Sequence, residues 1–202
     1  AGSAAWGRWA RHYGASPVTM SGNEMHEALS QGVVDCIVLS ATEIRNFGLT
    51  ETVTDITMTI PGGVFTASNG NVNANVWGSL SEEHRKALLR ATTTAVATGS
   101  MLYHKEESEV LEEQKQRGTK LHEADPALVE STHRFIEQDL QQIAQEYKNN
   151  FGVERGQEML EDFRVLLDKW IDLVQDVSTP EELADLYWNE IQSKVDVTRH
   201  GL

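Results

Sequence analysis

Residues 14–40 read GASPVTMSGNEMHEALSQGVVDCIVLS, and this stretch predicts a strand, a short helix and a second strand with little slack between them. Pro17-Val18-Thr19-Met20 is an extended run whose proline suits the first position of a strand. Ser21-Gly22-Asn23-Glu24 has the S-x-x-E form of a capping box, in which Ser21 and Glu24 each satisfy the other's free amide. Met25, Ala28 and Leu29 share one face of the helix that follows, and Gly32 stands where a left-handed residue closes it. Val33-Val34-Asp35-Cys36-Ile37-Val38-Leu39 is nearly all apolar, as a parallel strand covered on both faces should be, which makes Cys36 a buried and inert thiol. A right-handed crossover would make the two strands a parallel pair. Ligands in open α/β sheets bind beyond the carboxyl ends of such strands, here around Leu39 to Ala41.

Working outward, residues 3–13 predict a helix ending at Gly14, with Trp6 and Trp9 three apart on one face. Arg8 and Arg11 fall on its exterior. Thr42 to Phe47 predicts a short helix closed by Gly48, and Asp55 to Ile60 a strand broken by Pro61-Gly62-Gly63. Val64 to Ala67 and Gly70 to Val72 read as pieces of another strand. Ser81 is an N-cap with Glu82 and Glu83 in the first turn. No proline interrupts residues 82–117, a helix of about 54 Å at ~1.5 Å per residue, with a kink expected at Gly99. Thr119 to His122 reads as a short returning strand. Asp125-Pro126 opens a helix whose Leu128, Thr132, Phe135, Ile136, Leu140, Ile143 and Tyr147 keep a 3-4 spacing. A further helix over about 153–177 repeats the pattern with Phe163, Leu166, Leu167, Trp170 and Val174. Ser178-Thr179-Pro180-Glu181 reads as a second capping box for a last helix carrying Leu183, Leu186, Tyr187 and Ile191.

The 202 residues can bury about 70% of their unfolded surface, enough for one good core or two small lobes. The net charge of −14 is uneven. Residues 1–100 carry 6 basic and 8 acidic groups, and residues 101–202 carry 11 and 23, so the acid lies in the helical half. Such a surface repels nucleic acid and anionic lipid. No apolar run approaches the roughly 18 residues a bilayer crossing needs, which excludes direct membrane insertion, and no signal peptide begins the chain.

Catalytic motifs are missing. There is no G-x-S-x-G, no G-x-x-x-x-G-K-[ST] and no G-x-G-x-x-G. His26-Glu27 and His122-Glu123 begin like H-E-x-x-H, but Ser30 and Pro126 occupy the second histidine positions. One cysteine rules out an internal disulfide and a cysteine-rich metal site. The expectation is a protein that is not an enzyme and takes no cofactor and no metal.

The words G-A-S-P-V-T-M, E-M-H-E-A-L-S-Q-G-V-V-D and V-N-x-x-x-W-x-x-L-S-x-E (Val72 to Glu83) occur in the order found in the TRAP transporter solute receptors, the DctP-type family, which this chain resembles over residues 1–115 and more loosely to its end. Cys36 departs from the glycine usual after V-V-D, and Ile37, Val38 and Leu39 replace residues often polar.

The resemblance implies an α/β fold like that of periplasmic binding proteins, two lobes bridged by a long helix, with a helical C-terminal part. Residues 1–80 would hold the ligand-binding lobe and hinge strands, 81–117 the bridging helix, and 118–202 the helices packing on both lobes. It implies a periplasmic protein, its signal peptide removed, that captures a small organic acid and delivers it to TRAP membrane permease subunits. The ligand would meet Trp6, Gly22, Leu39, Ser40 and Phe65, with Gly22 where an aromatic can sit. Core packing is the competing role for Trp6 and Phe65. The family's clamp arginine would precede Ala1, which implies a C-terminal portion of a longer receptor with an apolar surface exposed where the rest docks. Arg8, Arg11 and Arg45 are not assumed to replace that clamp. Leu39 would leave a ligand hydroxyl unpaired at a cost of roughly 1–3 kcal/mol, so an aromatic or branched carboxylate is expected over a sugar acid. Two other classes stay open: an enzyme domain with Cys36 as nucleophile, and a helical interaction protein working through residues 81–202.

Overall fold

The computed structural model describes residues 4–62 and 70–201. Among these the elements run α1 (Ala4–His12), α2 (Gly22–Ser30), α3 (Thr42–Asn46), β1 (Asp55–Met58), α4 (Ala74–Ser79), α5 (Glu82–Gln116), β2 (Lys120–Glu123), α6 (Pro126–Phe151), α7 (Gly156–Val174) and α8 (Pro180–Glu190). The chain divides into two units, Ala1–Val64 with Glu106–Leu166, and Phe65–Lys105 with Leu167–Leu202. Helices α5 and α7 contribute residues to both.

The helix ends follow from the local chemistry. At α2 the Glu24 carboxylate accepts from the Ser21 amide at 2.8 Å and from its hydroxyl at 2.6 Å, completing the expected box. Gly32, at φ 68°, turns the chain out of the helix in the left-handed conformation a Cβ would penalise. Ser81 accepts from the His84 amide at 3.2 Å and starts α5, whose 35 residues continue through Gly99. Asp125 accepts from the Ala127 amide at 2.7 Å, with Pro126 at the first position of α6. The last box sits one residue later than the sequence suggested. Thr179 accepts from the Glu182 amide at 3.2 Å, and Glu182 accepts from the amides of Thr179 (3.1 Å) and Ser178 (2.9 Å). Ser178 lies outside the cap because Pro180, not Thr179, takes the first helical position.

In the first unit β1 and β2 pair in parallel, with Asp55 opposite Lys120 and Met58 opposite Glu123. This corrects the expected pairing of residues 17–20 with 33–39, neither of which is a strand here. The reason is visible in the backbone. The amides of Val33 and Val34 both turn back to the Ala28 carbonyl, at 2.8 and 3.3 Å, and so close α2 instead of entering a ladder. Ile37 and Leu39 pack on the core, but the rest of the run is largely open to solvent. Val33 is 65% exposed, and Cys36 is exposed where a buried thiol was expected.

The core of this unit is Ile44, Leu49 and Val110, with Leu29, Ile37, Leu39, Phe47, Val53 and Ile56 packed around it. Burial of Leu49 alone contributes about 2 kcal/mol. Helix α1 is fixed to α6 by polar contacts. The Arg8 guanidinium grips the Asp139 carboxylate, Nε to Oδ1 at 2.5 Å and Nη2 to Oδ2 at 2.8 Å. The Trp9 indole donates to Thr132 at 3.1 Å. Arg8 is therefore half-buried in an ion pair and not on the helix exterior; Arg11 is exposed as expected. An apolar patch alone could not have revealed this, because the partner lies 131 residues away.

In the second unit Ala97, Leu183 and Ala184 form the core, flanked by Met101, Val177 and Tyr187. Arg85 is 6% exposed and spends its donors on three carbonyls, those of Trp77 (3.0 Å), Val197 (2.9 Å) and Gly78 (3.1 Å). These bonds tie the start of α5 to α4 and to the C-terminal segment. Helix α7 divides between the two units, and its Met159, Phe163, Val165, Leu166, Leu167 and Ile171 are exposed.

Candidate ligand site

The segment leaving α2 ends in a turn in which the Glu43 amide donates to the Ser40 carbonyl at 3.0 Å. That turn starts α3 and fixes the exit of residues 37–40. Leu39 is half-buried and packs on the Ile44, Leu49 and Val110 cluster. Ser40 is half-buried beside it.

Gly22 begins α2 under the ring of Phe47. A Cβ at residue 22 would lie 2.3 Å from Phe47 Cζ, so the ring from the end of α3 occupies the space a larger residue at 22 would take. Gly22 and Leu39 thus belong to one neighbourhood, organised by Phe47 and the core it joins. Trp6 has other contacts. It meets Trp9 edge to face at 5.4 Å, and its ring covers Gly62, where a Cβ would come within 2.6 Å. Phe65 lies outside the described residues, as do Val64 to Ala67 of the strand expected there; residues 70–72 are not a strand.

Two residues that sequence reading passed over belong to this neighbourhood. Phe47 is one. The other is Thr42, which is 2% exposed and whose Oγ1 has no hydrogen-bond partner among the described residues. A buried hydroxyl left unpaired costs about 1–3 kcal/mol. Its signal in the sequence was weak: a threonine two residues after Ser40 looks like an ordinary helix start.

Three arginines of this unit are already committed. Arg8 holds Asp139, Arg45 Nη2 holds Glu113 at 3.0 Å, and Arg117 pairs with Glu51. The Asp139 contact raises the pKa of Arg8 above its ordinary value, chiefly through the hydrogen bond. Neither Arg8 nor Arg45 is a spare anion clamp. Two clefts occur elsewhere. One of about 50 Å³ lies between Leu140 and Leu160, and one of about 290 Å³ lies in the second unit beside Trp77. Trp6, Gly22, Leu39 and Ser40 line neither. Among the described residues no three His, Cys, Asp or Glu side chains converge as metal ligands, and no helix is long and apolar enough to cross a membrane.

A mixed helical chain with a small two-stranded parallel sheet is consistent with part of a periplasmic-binding-like domain. The family model for the bacterial extracellular solute-binding protein, family 7 (DctP), matches residues 1–148. The chain belongs to that family, whose members are extracytoplasmic, non-enzymatic binding proteins that serve TRAP transport together with membrane components. No curated protein and no solved structure matches the chain.

Proposed function

We propose that this chain captures a small organic acid in the periplasm and hands it to the membrane permease of a TRAP-type transporter. What carries the reading is the family match over residues 1–148, which contains the whole of the 14–40 stretch. The unpaired Thr42 hydroxyl, two residues past Ser40, supports a polar ligand atom at this place. Leu39 and the Phe47 ring over Gly22 support an apolar face on the same ligand. Ser40 would supply a hydrogen bond, and Trp6 and Phe65 would supply aromatic wall. In this reading residues 1–80 form the ligand lobe and hinge, 81–117 the bridging helix and 118–202 the helices packed on both lobes.

A binder gains stability of RT ln(1 + [L]/Kd), about 2.7 kcal/mol at a hundredfold excess over Kd. Melting of the intact receptor should therefore rise with branched or aromatic carboxylates and stay unchanged with hydroxylated sugar acids. A rise with sugar acids alone would overturn the ligand class. No rise with any organic acid would overturn the receptor reading.

A further inference from the structure

The second unit carries a cleft that the proposed ligand neighbourhood does not use. It has a volume of about 290 Å³, near the lower end of small-molecule sites. It is lined by Leu88, Leu89 and Thr92 of α5, by Trp77 of α4 and by residues 70–72. The close wall is built by a glycine: a Cβ at Gly70 would come within 2.5 Å of the Thr92 methyl. His200 completes the cleft from the C-terminal segment, its ring edge-on to Trp77 with centroids 6.4 Å apart at 87°. The corner is pinned, because the Trp77 indole donates to the His200 carbonyl at 2.7 Å.

Charge decides what such a corner accepts. Behind Trp77 the Arg85 guanidinium is buried, with its carbon 5.8 Å from the indole centroid. Its three acceptors are all carbonyls, and it forms no ion pair among the described residues. Dipoles satisfy its hydrogen bonds without cancelling its charge, and low dielectric around a buried cation extends its field. A buried positive charge therefore stands against the Trp77 ring that lines the cleft, although the chain as a whole is acidic. A flat ring can lie against Trp77 and Leu89, with an anionic group toward His200 and the Thr92 hydroxyl.

We infer that this cleft is a binding site for a small aromatic carboxylate, separate from the neighbourhood of Gly22 and Leu39 and independent of what that neighbourhood binds.

The test is a titration of the ¹⁵N-labelled intact protein with phenylacetate, followed through the five tryptophan indole N–H signals, that of Trp77 assigned with Trp77→Phe. The expected result is a saturable shift of the Trp77 signal, with a Kd of roughly 1 mM or below. Leu89→Trp, which fills the cleft, should weaken this at least about tenfold while leaving the fold intact by circular dichroism. Leu39→Ala should leave it unchanged. Phenethylamine, the same ring with a cation, should shift Trp77 no more than a tenth as strongly at equal concentration, since the field favours an anion. The site is refuted by a Trp77 signal that does not saturate, by an undiminished response in Leu89→Trp, or by equal binding of phenethylamine.

Discussion

Arg8 and Asp139 meet as a planar fork on a carboxylate, and through that pair the first helix is anchored to the middle of α6. Asp139 is 8% exposed while Arg8 keeps some contact with water. Both oxygens of the acid are engaged, so removal of the arginine strands a buried charge. Arg8→Ala should destabilise the protein by about 2–3 kcal/mol, below the full cost for a wholly buried pair because Arg8 is only half covered. Asp139→Asn should cost less. Urea unfolding of the two single variants and the double variant measures the coupling, and additive effects would show that the fork contributes nothing.

Gly22 and Phe47 make a steric prediction. Gly22→Val drives side-chain carbon into the Phe47 ring, which a packed interior accommodates only by shifting. A loss of about 1–3 kcal/mol is expected, recovered in large part by adding Phe47→Leu. If Gly22→Val alone is neutral in chemical denaturation, the ring does not sit over the start of α2.

The two capping boxes predict a pH dependence. Hydrogen bonds from Ser178 and Thr179 hold the Glu182 carboxyl below its ordinary value of 4.5, and those from Ser21 do the same for Glu24. A carboxyl depressed by folding contributes stability above its unfolded value, and that contribution is lost as pH falls through the depressed folded value. Melting between pH 7 and pH 3 should therefore fall less steeply in Glu182→Gln than in the parent. Thr179→Ala removes the other half of the box and should cost about 1 kcal/mol at pH 7. Identical pH slopes in Glu182→Gln and the parent would contradict the assignment.

Arg85 predicts a failure of conservative exchange. Lysine keeps the charge, but its single head cannot serve the carbonyls of Trp77, Gly78 and Val197 together. Arg85→Lys should lower stability by about 2 kcal/mol through carbonyls left without donors. Amide exchange should quicken at Val197 to His200 first, since their segment hangs on that guanidinium and on the Trp77 indole.

Local chemistry was readable in the chain and distant chemistry was not. Ser21 with Glu24, Ser81, and Asp125 with Pro126 announce helix starts because every atom involved lies within one turn. The 35 residues of α5 were legible from the N-cap at Ser81 and the absence of proline over residues 82–117. Asp55 to Met58 and Lys120 to Glu123 were each recognisable as extended, but nothing within either segment names the other as its partner. The run from Val33 to Leu39 misled because apolar composition signals burial, whereas a strand requires neighbours, and the amides of Val33 and Val34 turn back to Ala28 instead. At the candidate site, Leu39 and Ser40 could be marked by position along the chain. The ring of Phe47 over Gly22 and the stranded hydroxyl of Thr42 are products of packing, invisible until the segments meet.

Reversible capture of an organic acid is read by isothermal titration calorimetry of the intact protein. Branched aliphatic carboxylates, which lack the ring that the cleft beside Trp77 takes, should give a saturable one-to-one heat, weakened about tenfold or more in Thr42→Val, which removes the hydroxyl proposed to meet the ligand. The absence of any saturable heat across the panel, or binding that Thr42→Val leaves untouched while Leu89→Trp abolishes it, would contradict the account.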